Sequence, residues 1–225
     1  MRVAALYDVH GNIGALDAVL AQVPDDAAIV LGGDIVVGPF PAETLARLRA
    51  LGDRALWLRG NADRELTPGE SGNAPDAAME WVRSRLTSED IAFLHALPPT
   101  ATVDVDGLGR VLFCHATPHN DVDIFTALTP EEKLRPVFEG VDADVVVCGH
   151  THIQFDRRIG SARVVNAGSV GMAYEEEPGA YWALLGPDVE FRHAGYALDT
   201  GDWPEEWPAA SKAEAETYFE SLASF

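Results

Sequence analysis

The stretch Val3-Ala4-Ala5-Leu6-Tyr7-Asp8-Val9-His10-Gly11-Asn12 carries the reading of the whole chain. Five consecutive apolar residues run directly into an Asp-x-His triplet. A run this short, apolar at every position, reads as a strand buried on both faces. In open α/β sheets, ligands gather in the crevice outside the carboxyl ends of the strands. Asp8 and His10 therefore sit where chemistry is expected. Alternate positions of an extended segment project to the same side, so the pair points one way.

The same design recurs four times further along. Ala27-Ala28-Ile29-Val30-Leu31 leads through Gly32-Gly33 to Asp34, and Ala55-Leu56-Trp57-Leu58 leads through Arg59-Gly60 to Asn61. Val111-Leu112-Phe113-Cys114 ends in His115, and Val145-Val146-Val147-Cys148-Gly149 ends in His150, with His152 two residues on. Asp8, Asp34 and Asn61 follow one another at intervals of 26 and 27 residues. That is the length of a compact strand–helix–strand unit. Helical periodicity fills the gaps: Leu16, Val19, Leu20 and Val23 in Ile13 to Val23, and Leu45, Leu48 and Leu51 after Pro41. The expected core is an α/β sheet with helices on both faces. Its strand ends deliver Asp, Asp, Asn, His and His to one edge.

Residues 62–100 interrupt this rhythm with a helical excursion, Asp76 to Leu86 and then Thr87 to Leu97, where Thr87 and Asp90 suit a capping box. Another helix is expected from Thr129-Pro130-Glu131-Glu132, with Thr129 as its cap and Pro130 at the first position. After His152 the texture changes to short strands joined by Gly and Pro turns: Ile153–Ile159, Arg163–Asn166, Ala180–Leu185 and Val189–His193. These predict a second, mostly antiparallel sheet. Ser211 and Glu214 open a last helix over about 211–223, whose Phe219 and Leu222, with Phe225 beyond, are expected on the core. No internal boundary stands out, so residues 1–225 are expected to form one domain.

Composition bounds the partners. The chain is 47% hydrophobic and 23% charged, an ordinary globular balance. A net charge of −20 repels polyanions, which disfavours a nucleic-acid polymer and leaves a small phosphate ester open once dications reverse the local charge. No apolar run is long enough to cross a bilayer, and Val3 to Tyr7 is too short for a signal peptide, so a cytoplasmic location and no membrane partner are expected. Cys114 and Cys148 follow apolar runs and read as free, buried thiols. Phe219, Leu222 and Phe225 also leave a homodimer contact open, so monomer and homodimer both stand.

Carboxylates, imidazoles and one amide oxygen together suit two divalent transition metals such as Mn, Fe, Zn or Ni. Asp34 is placed to bridge them. Two-metal sites clamp phosphoryl oxygens and activate water. Asn12, Arg64 and His119 are candidate phosphate contacts, and His119 is also a candidate proton donor.

Asp8-Val9-His10-Gly11-Asn12, Gly33-Asp34, Gly60-Asn61, His115 and Gly149-His150-Thr151-His152 resemble the five blocks of the calcineurin-like metallophosphoesterases, in particular the small prokaryotic phosphodiesterase branch. The resemblance runs from residue 3 to about 171 and includes Asn166-Ala167-Gly168-Ser169. It implies a four-layer α/β/β/α sandwich of two mixed sheets. It also implies that Asp8, His10, Asp34 and His152 hold one metal, and that Asp34, Asn61, His115 and His150 hold the other. The implied activity is hydrolysis of small-molecule phosphoesters by a metal-bridging hydroxide, as a phosphodiesterase or phosphatase, with Asp34, Asn61 and His119 in catalytic roles. Two alternatives remain: a dinucleotide polyphosphate hydrolase, and a catalytically weak metal-dependent protein that binds nucleotide or phosphate. Two departures matter. Ala62 stands where many members carry a His that protonates the leaving group. Gly33-Asp34 continues as Ile35-Val36-Val37-Gly38-Pro39 rather than Asp-Arg-Gly, which disfavours a protein Ser/Thr phosphatase.

Overall fold

The computed structural model describes residues 1–67, 69–70, 76–223 and 225. The first half alternates strands and helices: β1 (Val3–Leu6), α1 (Ile13–Leu20), β2 (Ala28–Leu31), α2 (Pro41–Arg49) and β3 (Ala55–Trp57). Three helices follow, α3 (Asn61–Glu65), α4 (Asp76–Arg85) and α5 (Ser88–His95). Part of the helical excursion expected at 62–100 lies outside the described residues. Then come β4 (Thr100–Val105), β5 (Gly109–Cys114), α6 (Glu131–Phe138), β6 (Val145–Cys148), β7 (Phe155–Ile159), β8 (Ala162–Asn166), β9 (Ala180–Leu185), β10 (Val189–Ala194) and α7 (Lys212–Leu222).

Local chemistry starts these helices. The Asn12 side chain accepts the Ala15 N–H at the start of α1. Pro41 opens α2, with Glu43 in its first turn and Arg47 and Arg49 in its last, the arrangement that suits the helix dipole. Thr87 with Asp90, and Ser211 with Glu214, form the expected capping boxes of α5 and α7. Thr129 departs from expectation. Pro130 occupies the cap position of α6 and makes no side-chain bond. The Thr129 hydroxyl instead accepts the Thr126 N–H and donates to Glu220 of α7. It ties the C-terminal helix down rather than capping its own.

The described strands form two mixed sheets, ordered β10-β9-β1-β2-β3 and β4-β5-β6-β8-β7. In the first, β1, β2 and β3 are parallel, with β9 antiparallel to β1. In the second, β5, β6 and β8 are parallel, flanked by antiparallel β4 and β7. Two sequence expectations are corrected here. The late strands do not make a sheet of their own: β7 and β8 complete the second sheet, while β9 and β10 extend the first. The five motif-bearing strands also do not share one sheet. Asp8, Asp34 and Asn61 follow strands of the first, and His115 and His150 follow strands of the second. Strands covered on both faces look alike in sequence whether the cover is a helix or another sheet, which is why the partition could not be read.

Three apolar layers separate four structural layers. Ala4 and Leu6 of β1 face α1 and α2, among Leu16, Val19, Leu45 and Leu48. Val3, Ala5 and Tyr7 face the second sheet, among Val111, Phe113, Val145 and Val147. The outer face of that sheet, with Cys114, Val146 and Val164, packs on Leu134 and Phe138 of α6, and Phe225 joins it. Both cysteines are free and buried. The result is the α/β/β/α sandwich. Tyr7 pins the two sheets together at the site end, its hydroxyl donating to the Val147 carbonyl at 2.9 Å.

Phe113→Ala should empty the inter-sheet layer and cost about 3–5 kcal/mol, as for other fully buried phenylalanines. Tyr7→Phe should cost only about 1 kcal/mol, the net worth of one buried hydrogen bond. Urea titration of both variants, monitored by circular dichroism, checks the difference.

Candidate metal centre

The loops that follow the strands converge because backbone hydrogen bonds continue past the sheets. The Asp8 N–H donates to the Gly33 carbonyl at 3.1 Å, and the His10 N–H to the Asp34 carbonyl at 2.9 Å. The Gly149 N–H donates to the His115 carbonyl at 2.9 Å. The loop after β8 bridges the sheets: the Ser169 hydroxyl and the Gly171 N–H both donate to the Asp8 carbonyl. The Asn166 amide donates to the Gly149 carbonyl and the Thr151 hydroxyl, fixing the His150-Thr151-His152 turn. This gives the Asn166-Ala167-Gly168-Ser169 segment its structural role.

Five of the seven candidate ligands, Asp8, His10, Asp34, His150 and His152, have left-handed backbones with φ between 47° and 68°. Such conformations cost non-glycine residues of order 1–3 kcal/mol each and concentrate at functional sites. Close approach explains two glycines. A Cβ on Gly33, itself at φ 96°, would lie 2.4 Å from the Gly60 nitrogen, and one on Gly149 would lie 2.4 Å from an Asp8 carboxylate oxygen.

All seven candidate side chains meet in one place. Asp8, His10 and His152 offer ligand atoms within 4.8 Å of one another, and so do Asp34, His115 and His150. The groups interlock: His10 Nε2 lies 3.9 Å and His115 Nε2 3.5 Å from Asp34 Oδ2, and His152 Nε2 lies 3.4 Å from Asp8 Oδ1. Asn61 Oδ1 stands 3.1 Å from His115 Nε2. Asn61 turns its oxygen inward because its amide nitrogen donates outward to Glu65 at 3.3 Å.

The donor set fits dications. His10 Nδ1 donates to the Val37 carbonyl and His152 Nδ1 to the Met172 carbonyl. Each Nε2 then presents a lone pair, and the two face each other at 3.2 Å. Asp8 Oδ1 is buried with no hydrogen-bond partner. Lone pairs converging on lone pairs are repulsive unless a cation lies between them. Metal–ligand bonds of about 2.0–2.2 Å set neighbouring ligand atoms roughly 3–3.6 Å apart, which matches these separations. Backbone acceptors on Nδ1 are also the usual way a metal-binding imidazole is held in one tautomer.

Electrostatics points the same way. Burial and the adjacent His152 ring lower the His10 pKa, so that ring stays neutral. Burial and His115 lower His150 to about 4. Burial alone would depress His115 and raise both carboxyls, but the contacts between them outweigh it. Asp34, with Asp8, pushes His115 up to about 10, while His152 and His115 hold Asp8 down and His115 holds Asp34 down. The two buried carboxylates thus demand positive charge, and a proton on His115 supplies it when no metal does.

Asp63 was not singled out as a site residue. Its buried carboxylate accepts the N–H groups of Asp34, Ile35 and Gly60 at 2.8–3.0 Å, so it shapes the loop that presents Asp34. Burial beside Asp34 pushes its pKa up to about 7. The signal was present as the fourth residue of Gly60-Asn61-Ala62-Asp63. Tyr174 was also missed. It stacks on His152 with ring centroids 5.4 Å apart and planes 12° apart. No motif marked it.

The three candidate phosphate contacts are corrected. Asn12 is buried with its amide committed at both ends: the oxygen accepts the Ala15 N–H, and the nitrogen donates to the Gly171 carbonyl and the Tyr196 hydroxyl. The Arg64 guanidinium is held bidentately by Asp121 and also pairs with Glu70 and Glu65. His119 is exposed and its Nε2 donates to the Val137 carbonyl at 3.0 Å. It lines a separate depression with Arg59, Arg64 and Asp121, which His115 alone of the seven borders. His95 and His193 bond to Thr67 and the Pro178 carbonyl, in structural roles.

A cavity of about 750 Å³ opens above the cluster, floored by His10, Asp34, Asn61, His150 and His152. Ala62 lies on its surface, its N–H donating to Asp34 Oδ1 at 2.8 Å. No helix among the described residues is long and apolar enough to cross a membrane.

Comparison with known proteins agrees with this arrangement. The chain is 31% identical over 160 residues to an uncharacterized protein of Methanocaldococcus jannaschii, covering 68% of this chain and 63% of that protein. It is 32% identical over 123 residues to a symmetrical bis(5'-nucleosyl)-tetraphosphatase of Klebsiella pneumoniae, covering 52% and 44%. The matched part of the chain thus spans 44–63% of the length of these curated relatives. Among solved structures it resembles a metallophosphoesterase from Sphaerobacter thermophilus, with a TM-score of 0.70, 27% identity and coverage of 88% and 90%. Residues 1–186 match the calcineurin-like phosphoesterase superfamily domain, and the chain belongs to that superfamily.

Proposed function

We propose that this protein is a two-metal hydrolase of small-molecule phosphoesters. The observation that carries the reading is the cluster of mutually facing lone pairs on His10, His152 and Asp8, interlocked with Asp34, Asn61, His115 and His150 at the floor of an open cavity. Asp8, His10 and His152 would hold one ion, and Asn61, His115 and His150 the other, with Asp34 shared. When bound, two such ions neutralise phosphoryl oxygens and supply an activated water near neutral pH. The imidazole and carboxylate mixture suits Mn, Fe, Zn or Ni.

The chain's own residues divide the remaining work. Asp63 holds the Asp34 loop, and Glu65 orients the Asn61 amide. Tyr174 braces His152, and burial pushes its phenol up to about 12, so it stays protonated at neutral pH. Ala62 offers no proton to a departing alkoxide. The similarity to tetraphosphatases favours a second reading, cleavage of a dinucleotide polyphosphate, in which the anhydride is the scissile bond.

Metal analysis of the purified chain should find close to two transition-metal ions per molecule. Asp34→Asn should lose metal and hydrolysis of bis(4-nitrophenyl) phosphate together; a fully loaded, active variant would overturn the assignment. Chelator treatment should lower the melting temperature, because facing lone pairs lose their cation. A second prediction concerns the leaving group. A positioned acid contributes roughly 10²–10⁴-fold. Aryl diesters should therefore be cleaved well and alkyl monoesters poorly. Ala62→His should raise the alkyl rate by about tenfold or more while changing the aryl rate little. Rates on a paired ester panel, with a tetraphosphate alongside, check both this and the second reading.

A further inference from the structure

The cavity wall differs in character from its floor. Rings climb outward from the cluster: Tyr174 stacks on His152, Phe219 lies 6.0 Å from Tyr174, and Tyr218 lies 5.6 Å from Phe219. Exposure rises along this ladder from 6% at His152 to 61% at Tyr218. Trp203 adds a fourth aromatic side chain to the lining and is itself propped edge-on by Trp81 and Trp207. Besides Asp34 on the floor, three carboxylates, Glu65, Glu205 and Glu206, share that lining, and no Lys or Arg among the described residues does. The residues outside the structural description include no Lys or Arg either. Glu205 and Glu206 make no hydrogen bond or ion pair among the described residues. Glu175, next to Tyr174 in the chain, is by contrast neutralised by Lys212 at 2.9 Å.

This inventory selects by charge. A phosphate reaching the floor is met by the metal centre. Any further phosphate of the same molecule would lie against the unpaired carboxylates of Glu205 and Glu206, in a chain of net charge −20, with no Lys or Arg in the lining to receive it. The arginines beside the floor do not help: Arg64 is held by Asp121, Glu70 and Glu65, and with Arg59 it faces the separate depression beside His115, while Arg83 is spent on the Glu65 and Leu66 carbonyls. A cation gains from the same surroundings twice, from the carboxylates and from the electron-rich ring faces. The cavity volume suits a ligand of drug size that spans from floor to rim.

We propose that the cavity takes a phosphodiester with a single phosphate and an ammonium-bearing arm, the arm lying among Trp203, Tyr218 and Phe219 and against Glu205 and Glu206. The proposal rests on the hydrolase reading above. The reaction is hydrolysis: the bond from phosphorus to one ester oxygen breaks, a bond to the water oxygen forms, and the water's proton ends on the departing alcohol. Dinucleotide polyphosphates are selected against.

The test compares three substrates on the full-length, manganese-loaded protein: 4-nitrophenyl phosphocholine, 4-nitrophenyl ethyl phosphate and diadenosine tetraphosphate. The first two share a leaving group and differ in the charge of the other arm. The cationic ester should have a kcat/KM about tenfold higher, carried by KM, and the tetraphosphate should be the poorest substrate. Glu205→Gln with Glu206→Gln should cut the preference to within about threefold, and raised salt should erode it. Trp203→Leu should weaken it independently, which guards against misfolding of the double variant. Equal kcat/KM for the two nitrophenyl esters, an unchanged preference in the variants, or a preferred tetraphosphate would overturn the proposal. Failure to cleave any ester would instead sink the hydrolase reading. Calorimetric titration then still reads the cavity: phosphocholine binding no tighter than ethyl phosphate overturns the proposal, and about tenfold tighter binding supports it.

Discussion

Everything at the site end of this molecule depends on one electrostatic constraint. Two buried carboxylates and four imidazoles are packed so that their lone pairs point inward, with the Nδ1 positions of His10, His115 and His152 spent on backbone carbonyls. Such a knot is repulsive without positive charge at its centre. The surrounding structure resists the repulsion. Left-handed backbone at Asp8, His10, Asp34, His150 and His152 is held by hydrogen bonds from neighbouring loops, by the Asp63 carboxylate under Asp34 and by the Ser169 hydroxyl on Asp8. Strain of this kind persists only where its surroundings over-determine it.

The two-sheet architecture is what makes that over-determination possible. A single sheet presents its strand ends in a row; two stacked sheets present them across a gap about as wide as a sheet-to-sheet spacing, ~10 Å. Residues reaching inward from both sides close on a centre that neither sheet holds alone. Tyr7 fixes this spacing by donating to Val147 at the last apolar position before Asp8. The glycines at 33 and 149 let the opposing loops approach within contact of His115 and Asp8.

How much was legible follows from how each feature is encoded. The convergence of the seven candidate ligands was legible because each is encoded locally: an apolar run, a tight turn, then a polar residue. The capping boxes at Thr87 and Ser211 were legible for the same reason. Sheet membership was not, because pairing such as β1 with β9 joins residues far apart in the chain and leaves no periodic trace in strands covered on both faces. Asn12, Arg64 and His119 lie near candidate ligands in the sequence, and nearness does not fix direction. The Thr117 hydroxyl accepts the N–H groups of His119 and Asn120, and that turn leaves the His119 ring at Val137 rather than over the cavity. Asp63 lay inside a recognised motif, yet its partners are backbone amides of another loop. Glu205, Glu206 and Tyr218 carry no motif at all.

The boundary between the legible and the illegible parts coincides with a division of labour. The family match ends at residue 186, and the floor of the cavity lies wholly before it. Trp203, Glu205, Glu206, Tyr218, Phe219 and Leu222 all come after it and furnish much of the wall. Chemistry that needs ligand atoms placed to a fraction of an ångström belongs on strand ends backed by packed sheets. Selection among esters, as proposed, needs only surface chemistry of the right sign and shape, which residues 203–208 and α7 would supply. Helix α7 is anchored to the same framework, through Glu220 on Thr126 and Thr129 and through Lys212 on Glu175. On the proposed reading, a centre without a histidine at position 62 would lean on its leaving groups for rate, so a wall that selects the ester would also govern which reactions the floor could complete.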